Sequence, residues 1–162
     1  MVADWKKVLE KLKIDKVIEQ KEKEKITDEK LVPGRIIEII LSEEDGLILK
    51  GKYDTRRKYV VIISNDNDRY LYATFLINSE SNELTTELSD LQYPLRQKDY
   101  PHFLKYKSTL DCSQLFPIDR TRLKSDGKDK GLLSESDFND ALVLIKNSET
   151  IEPKIKKKYN LI

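Results

Sequence analysis

The sequence predicts a mainly β chain with flanking helices, an α+β arrangement in which a small curled sheet or partly open barrel carries helices at its ends. Three observations lead there. Short β-branched and aromatic runs, Ile36-Ile37-Glu38-Ile39-Ile40-Leu41, Tyr59-Val60-Val61-Ile62-Ile63 and Tyr70-Leu71-Tyr72-Ala73-Thr74-Phe75, are separated by turn residues. A Lys/Glu-rich stretch without Gly or Pro precedes them. After them, Phe138, Ala141, Leu142 and Ile145 recur at helical spacing.

At 162 residues the chain is long enough for one domain with its own core and short of two. Hydrophobic residues make up 38% and charged residues 36%, so the surface is heavily charged. Yet 30 Lys+Arg against 29 Asp+Glu leaves a net charge of only +1. A general electrostatic grip on nucleic acid or an anionic membrane is therefore not expected; any such contact must come from a local patch. The single cysteine, Cys112, excludes an internal disulfide. The start, Met1-Val2-Ala3-Asp4-Trp5, has no apolar signal core, and no apolar run approaches the roughly 20 residues of a membrane span. The expectation is a soluble, cytoplasmic protein without a membrane segment.

Along the chain, Trp5, Val8, Leu9 and Leu12 fall at helical spacing, with Val17 and Ile18 continuing, and Asp4 is placed to cap the start. From Glu19 to Lys25 no apolar stripe remains, so the arm (1–31) ends as a solvated helix or tether, packed on its own domain or gripping a partner. Pro33-Gly34 breaks the pattern and a strand follows, with Glu38 at a bend or edge. Asp45-Gly46 favours positive φ in the acidic turn that ends it. Residues 47–58 read as a polar connection into the basic cluster Arg56-Arg57-Lys58. A strand over 59–64 meets its hairpin partner over 69–77 through the turn 65–68. Residues 78–82 read as a loop, and 83–92 as polar and ambiguous. Short segments follow at 93–95 and 100–104, with strands at 108–113 and 114–118 and a flexible loop over 124–130. Ser134 and Asp137 form a helix start, and Pro153 suits the first turn of another. The barrel with its helix thus spans 32–147, and 148–162 is an extension.

Arg56, Arg57 and Lys58 run straight into a strand with little solvent on either face, so they sit either at the mouth of the barrel, ready for a phosphate, or in a solvated basic loop. His102 is the only histidine, yet Tyr100-Pro101-His102-Phe103 reads as a structural kink rather than a proton-transfer site. Cys112 alternates within a strand and reads as a buried thiol. Tyr70, Tyr72 and Phe75 suit either base stacking or the hairpin core. Carboxylates lack His or Cys partners at ligand spacing, so no metal and no other cofactor is expected.

Four stretches together resemble the MazF/PemK-like family, the toxin components of toxin–antitoxin pairs. Val32-Pro33-Gly34-Arg35-Ile36-Ile37 resembles its opening strand. Arg57-Lys58-Tyr59-Val60-Val61-Ile62-Ile63-Ser64-Asn65-Asp66 is similar to its Arg-Pro-(apolar)-Ser-Asn-Asp strand. The segment from Leu110 through Phe116-Pro117-Ile118-Asp119-Arg120-Thr121-Arg122-Leu123 resembles its Asp-Gln-Ile-Arg-Thr-Ile-Asp-Lys-Ser-Arg-Leu run. Gly131-Leu132-Leu133-Ser134-Glu135-Ser136-Asp137 is similar to its closing helix start. The resemblance covers about 32–147, in order, and implies an SH3-like barrel with a C-terminal helix, a homodimer, an antitoxin partner, and metal-free cleavage of single-stranded RNA. In that chemistry a 2′-hydroxyl attacks its neighbouring phosphate, which calls for a base, an acid and a cation on the crowded phosphorane.

Residue by residue, the family's Arg before the central strand falls on Lys58, with Arg57 one residue off, and its following Pro falls on Tyr59. Its Thr or Ser after the next strand falls on Asn78, with Ser79 beside it. Lys neutralises a phosphate but lacks the planar grip of Arg, and Asn donates a hydrogen bond without serving as acid or base. The expected site is therefore Arg57, Lys58, Asn78 and Ser79 around the phosphate, with Arg56 and Tyr72 holding substrate. Either Arg57 and Ser79 supply the chemistry through a local bulge, or this copy is weakened or inactive. The alternative is a non-catalytic SH3-like module that binds a protein through its arm or barrel.

Overall fold

The computed structural model describes residues 4–47, 49, 54–79 and 89–162. Helix α1 (Trp5–Glu24) starts where expected, its first turn capped by the Asp4 carboxylate, which accepts from the Lys6 and Lys7 amides. The sheet then runs β1 (Arg35–Ser42), β2 (Thr55–Asn65), β3 (Leu71–Ser79), β4 (Gln92–Leu95), β5 (Ser108–Asp111), β6 (Phe116–Asp119) and β7 (Lys128–Leu132). Helix α2 (Arg120–Asp126) lies between β6 and β7, and α3 (Glu135–Asn147) and α4 (Pro153–Lys158) close the chain. All pairings are antiparallel, in the order β4-β5-β3-β2-β1-β7, and β6 pairs with β3 off that path. The long β3 is thus shared end to end: Leu71 to Thr74 face β6, and Ile77 to Ser79 face β5. The result is mainly β, a curled antiparallel half-barrel with helices around it.

Both faces of this sheet are covered, which explains the continuous apolar runs. In β2 successive side chains go to opposite cores: Val61 and Ile63 to one, Val60 and Ile62 to the other. The first core holds Ala73, Phe75, Ile77, Leu110 and Cys112 under α3 (Ala141, Ile145) and the C-terminal Ile151, Tyr159 and Leu161. The second holds Ile37, Ile39, Leu41 and Leu76, closed by Ile26, Leu31, Phe116, Ile118 and Leu123 of α2. Residues 25–31, grouped by sequence with the arm, thus contribute Ile26 and Leu31 to the second core, and 148–162 contributes Ile151, Tyr159 and Leu161 to the first. Glycines serve this closure. Gly46 has φ +94, as the Asp-Gly turn predicts, and a Cβ on Gly127 would meet the Leu123 carbonyl oxygen at 2.4 Å and Ile37 Cγ2 at 2.7 Å.

Several local expectations are corrected. The basic cluster 56–58 is not in a loop but within β2, which begins at Thr55. Glu38 is at neither a bend nor an edge: β1 lies between β2 and β7, and Glu38 is 8% exposed. Its carboxylate is held by Arg57 at 3.4 Å and Lys130 at 3.8 Å, which is how a charge survives there. The stretch 124–130 is no flexible loop but the end of α2 and most of β7, an edge strand whose lysines discourage further pairing. Asn78 and Ser79 extend β3 rather than starting a loop. The rest of that loop, and most of 47–54 and 83–88, lies outside the described residues.

Candidate active site

The geometry at the basic cluster follows from strand periodicity. Lys58 shares the face of Val60 and Ile62, while Arg57 shares the face of Tyr59 and Val61. On the first face the Lys58 ammonium donates to Asn78 Oδ1 at 2.6 Å. That bond commits the amide oxygen and leaves the Asn78 NH₂ group as a second donor beside the cation. Arg56, two residues along the same strand face, adds an exposed positive charge. Burial first, and then Arg56, hold the Lys58 ammonium below the ordinary lysine range, while Asp111 pulls the other way.

A polar row continues across the sheet from this pair. Asn78 is the register partner of Thr109, and Gln92 that of Asp111. Thr109 Oγ1 donates to Gln92 Oε1 at 3.0 Å, and Gln92 Nε2 donates to Asp111 Oδ1 at 2.8 Å. The Ser113 amide also donates to Asp111 Oδ1, at 3.0 Å. Cation, amide donors and a carboxylate thus occupy one face of four strands. Thr109, Gln92 and Asp111 escaped the sequence reading. The alternation Thr109-Leu110-Asp111 marked a polar face, but which strand that face adjoins is a matter of register.

The other expected residues are placed elsewhere. Ser79 follows Asn78 and so turns to the opposite face, where it lines a cavity with Tyr59, Ile77, Phe103, Leu104 and Tyr106. Arg57, on that same face, extends to Glu38. The structure therefore brings Lys58 and Asn78 together and separates both from Arg57 and Ser79. No bulge interrupts this part of β2: the register shift between β2 and β3 lies further on, between Ile62 and Ser64. Tyr72 is 4% exposed in the second core, six residues from Asn78, about 20 Å along the strand. Phe75 is core as well, whereas Tyr70 is exposed. His102 Nε2 lies 2.6 Å from the Lys130 carbonyl oxygen, and its ring packs edge-on against Phe103. Cys112 is fully buried, its thiol pushed up to about 12, mainly by that burial. Among the described residues no cluster of His, Cys, Asp or Glu could hold a metal ion, and no helix is long and apolar enough to cross a membrane.

Neither a protein-family model nor a curated protein matches this chain.

Proposed function

We propose that the chain is a MazF/PemK-like protein acting on single-stranded RNA, with Lys58 and Asn78 as the phosphate-holding pair. The observation that supports this reading is the 2.6 Å bond from a half-buried lysine to an asparagine on the neighbouring strand, which leaves two donors beside each other at the sheet surface. A phosphorane carries its charge on non-bridging oxygens, and an ammonium plus an amide NH₂ suits two of them. Arg56 attracts the RNA's phosphates, and Asp111, the carboxylate of the polar row, is the group for proton transfer. Arg57 and Ser79 have no part in this version. A homodimer and an antitoxin partner belong to the same reading.

The test is degradation of a single-stranded RNA by the purified protein in EDTA. Lys58→Met and Asn78→Ala should each lower the rate by at least about a hundredfold. Arg57→Ala should leave it within a few-fold, because Arg57 points to Glu38. Intact RNA at high protein concentration would sink the enzymatic reading.

One observation favours a second reading, a non-catalytic interaction module. None of the side chains of α1 is buried, and Trp5, Leu9, Leu12, Ile14, Val17 and Ile18 are each more than half exposed. In that case removing residues 1–24 abolishes capture of a protein partner while RNA stays uncut. Binding that survives the truncation would exclude the arm as the grip.

A further inference from the structure

At the far end of β3 from Lys58 lies a second concentration of positive charge. Two adjoining clefts of about 490 and 510 Å³ share Asp28 and Arg120 as lining residues. Between them they are lined by four cations, Lys25, Arg69, Arg120 and Lys124, against one carboxylate, Asp28. On a chain whose net charge is +1, that local surplus is out of proportion.

The nearby acids are already engaged. Asp28 pairs with Lys124 at 3.1 Å. Asp66 Oδ1 accepts the amides of Tyr70 and Leu71, and Asp119 Oδ1 accepts that of Arg122. Among the described residues, no carboxylate pairs with Arg69 or Arg120. Their backbones are held close: the Arg120 amide donates to the Tyr70 carbonyl at 2.7 Å, next to Arg69. Arg69 itself has φ 55, a conformation that glycine or asparagine adopts more readily, so the turn geometry does not account for an arginine there. The Tyr72 side chain lines the same cleft, and the charges of Arg120, Asp28, Arg69 and Asp66 all reach its hydroxyl.

We propose that this groove, built by Arg69, Arg120, Lys25 and the Tyr72 hydroxyl, is a binding site for a phosphate ester, separate from the Lys58–Asn78 pair. Two guanidinium forks beside a phenol offer the donors that a tetrahedral anion accepts. The phosphate belongs either to a polynucleotide backbone or to a small phosphorylated molecule, and the two differ in what they share with the site: one phosphate among many, or a terminal one.

The experiment is an amide-resolved NMR titration of the full chain with inorganic pyrophosphate and, separately, with a short homopolymeric single-stranded RNA. Shifts at residues 25–33, 65–72 and 120–125 are expected from at least one probe, apart from any that RNA produces around Lys58 and Asn78. Pyrophosphate alone would point to the small ligand, RNA alone to the backbone. Arg69→Asn together with Arg120→Gln, substitutions that suit the local backbone, should weaken that binding at least about tenfold at an unchanged melting temperature. Lys58→Met should leave it intact, so failure of the RNA-cleavage reading and failure of this one are told apart. Absence of shifts there with both probes, or equal affinity of the double variant, overturns the proposal.

Discussion

Lys58 and Arg57 are chain neighbours with different electrostatic lives. Arg57 is largely exposed and answers the buried Glu38, whereas Lys58 is partly withdrawn from water and bonded to a neutral amide. An ammonium so placed releases its proton at lower pH than it would in the unfolded chain, where lysine titrates at about 10.4. Between the two values the unfolded state binds more protons, so this group makes stability rise with pH through that window. Below both values the cost of burying the charge is present in full. Urea melts from neutral pH to about pH 10 should show this rise, and Lys58→Met should remove its share of it. An unchanged slope in the variant would mean that Lys58 is as well solvated as any surface lysine.

Among the elements, α1 and the segment after it behave in opposite ways although sequence joins them. At 3.6 residues per turn, Ile14, Val17 and Ile18 come round roughly 120–220° from Trp5, away from the flank of Val8, Leu9 and Leu12. The helix therefore has no single apolar stripe to lay on the barrel. It leaves the sheet at a bridge between Lys25 and Lys128 and an ion pair from Glu24 to Lys130 at 3.3 Å. Two residues later Ile26 is 1% exposed in the second core. Truncation after Glu24 should change stability by no more than about 0.5–1 kcal/mol. Ile26→Ala, by contrast, should cost about 2–5 kcal/mol in denaturant unfolding, through lost transfer energy and the cavity left behind. Equal costs for the two would show that the arm packs on the barrel after all.

Over the whole molecule, the second core is closed by contacts between residues far apart in the chain. The Arg122 guanidinium of α2 binds the Asp45 carboxylate and donates to the Ile40 carbonyl at 3.0 Å, tying the α2 lid to the end of β1. Asp45 also accepts the Ser42 amide at 2.8 Å. Arg122 foremost, with Ser42 behind it, holds the Asp45 carboxyl below its usual range. A depressed carboxylate stabilises the fold above its unfolded value, about 3.9, and that stability is lost as pH falls through the lower folded value. Asp45→Asn should cost about 1–3 kcal/mol near neutrality and blunt the loss on acidification, both read from urea melts across pH 2–7. If the variant matches the parent at pH 7, the tie adds nothing to closure.

What the sequence determined by itself are the features set by nearest neighbours along the chain. The Asp4 cap, the Ser134 start of α3, Pro153 opening α4, positive φ at Gly46 and the central hairpin are all legible because the residues that decide them lie within a few positions of one another. The one-residue step from Arg57 to Lys58 was legible too, since alternation alone turns neighbours to opposite faces. Only tertiary structure decided which residues share a face across strands: Lys58 with Asn78, Asn78 with Thr109, Gln92 with Asp111. It also made strands and lids of segments with no period of their own. Lys128–Leu132 is a strand because β1 has unpaired backbone on that side, and Ile26 is core because α2 and β6 leave room for it. Register and burial depend on partners that lie well outside any local window, from Lys58 and Asn78 in neighbouring strands to Ile37 and Asp129 in the first and last strands, and no local pattern of charge or hydropathy specifies those.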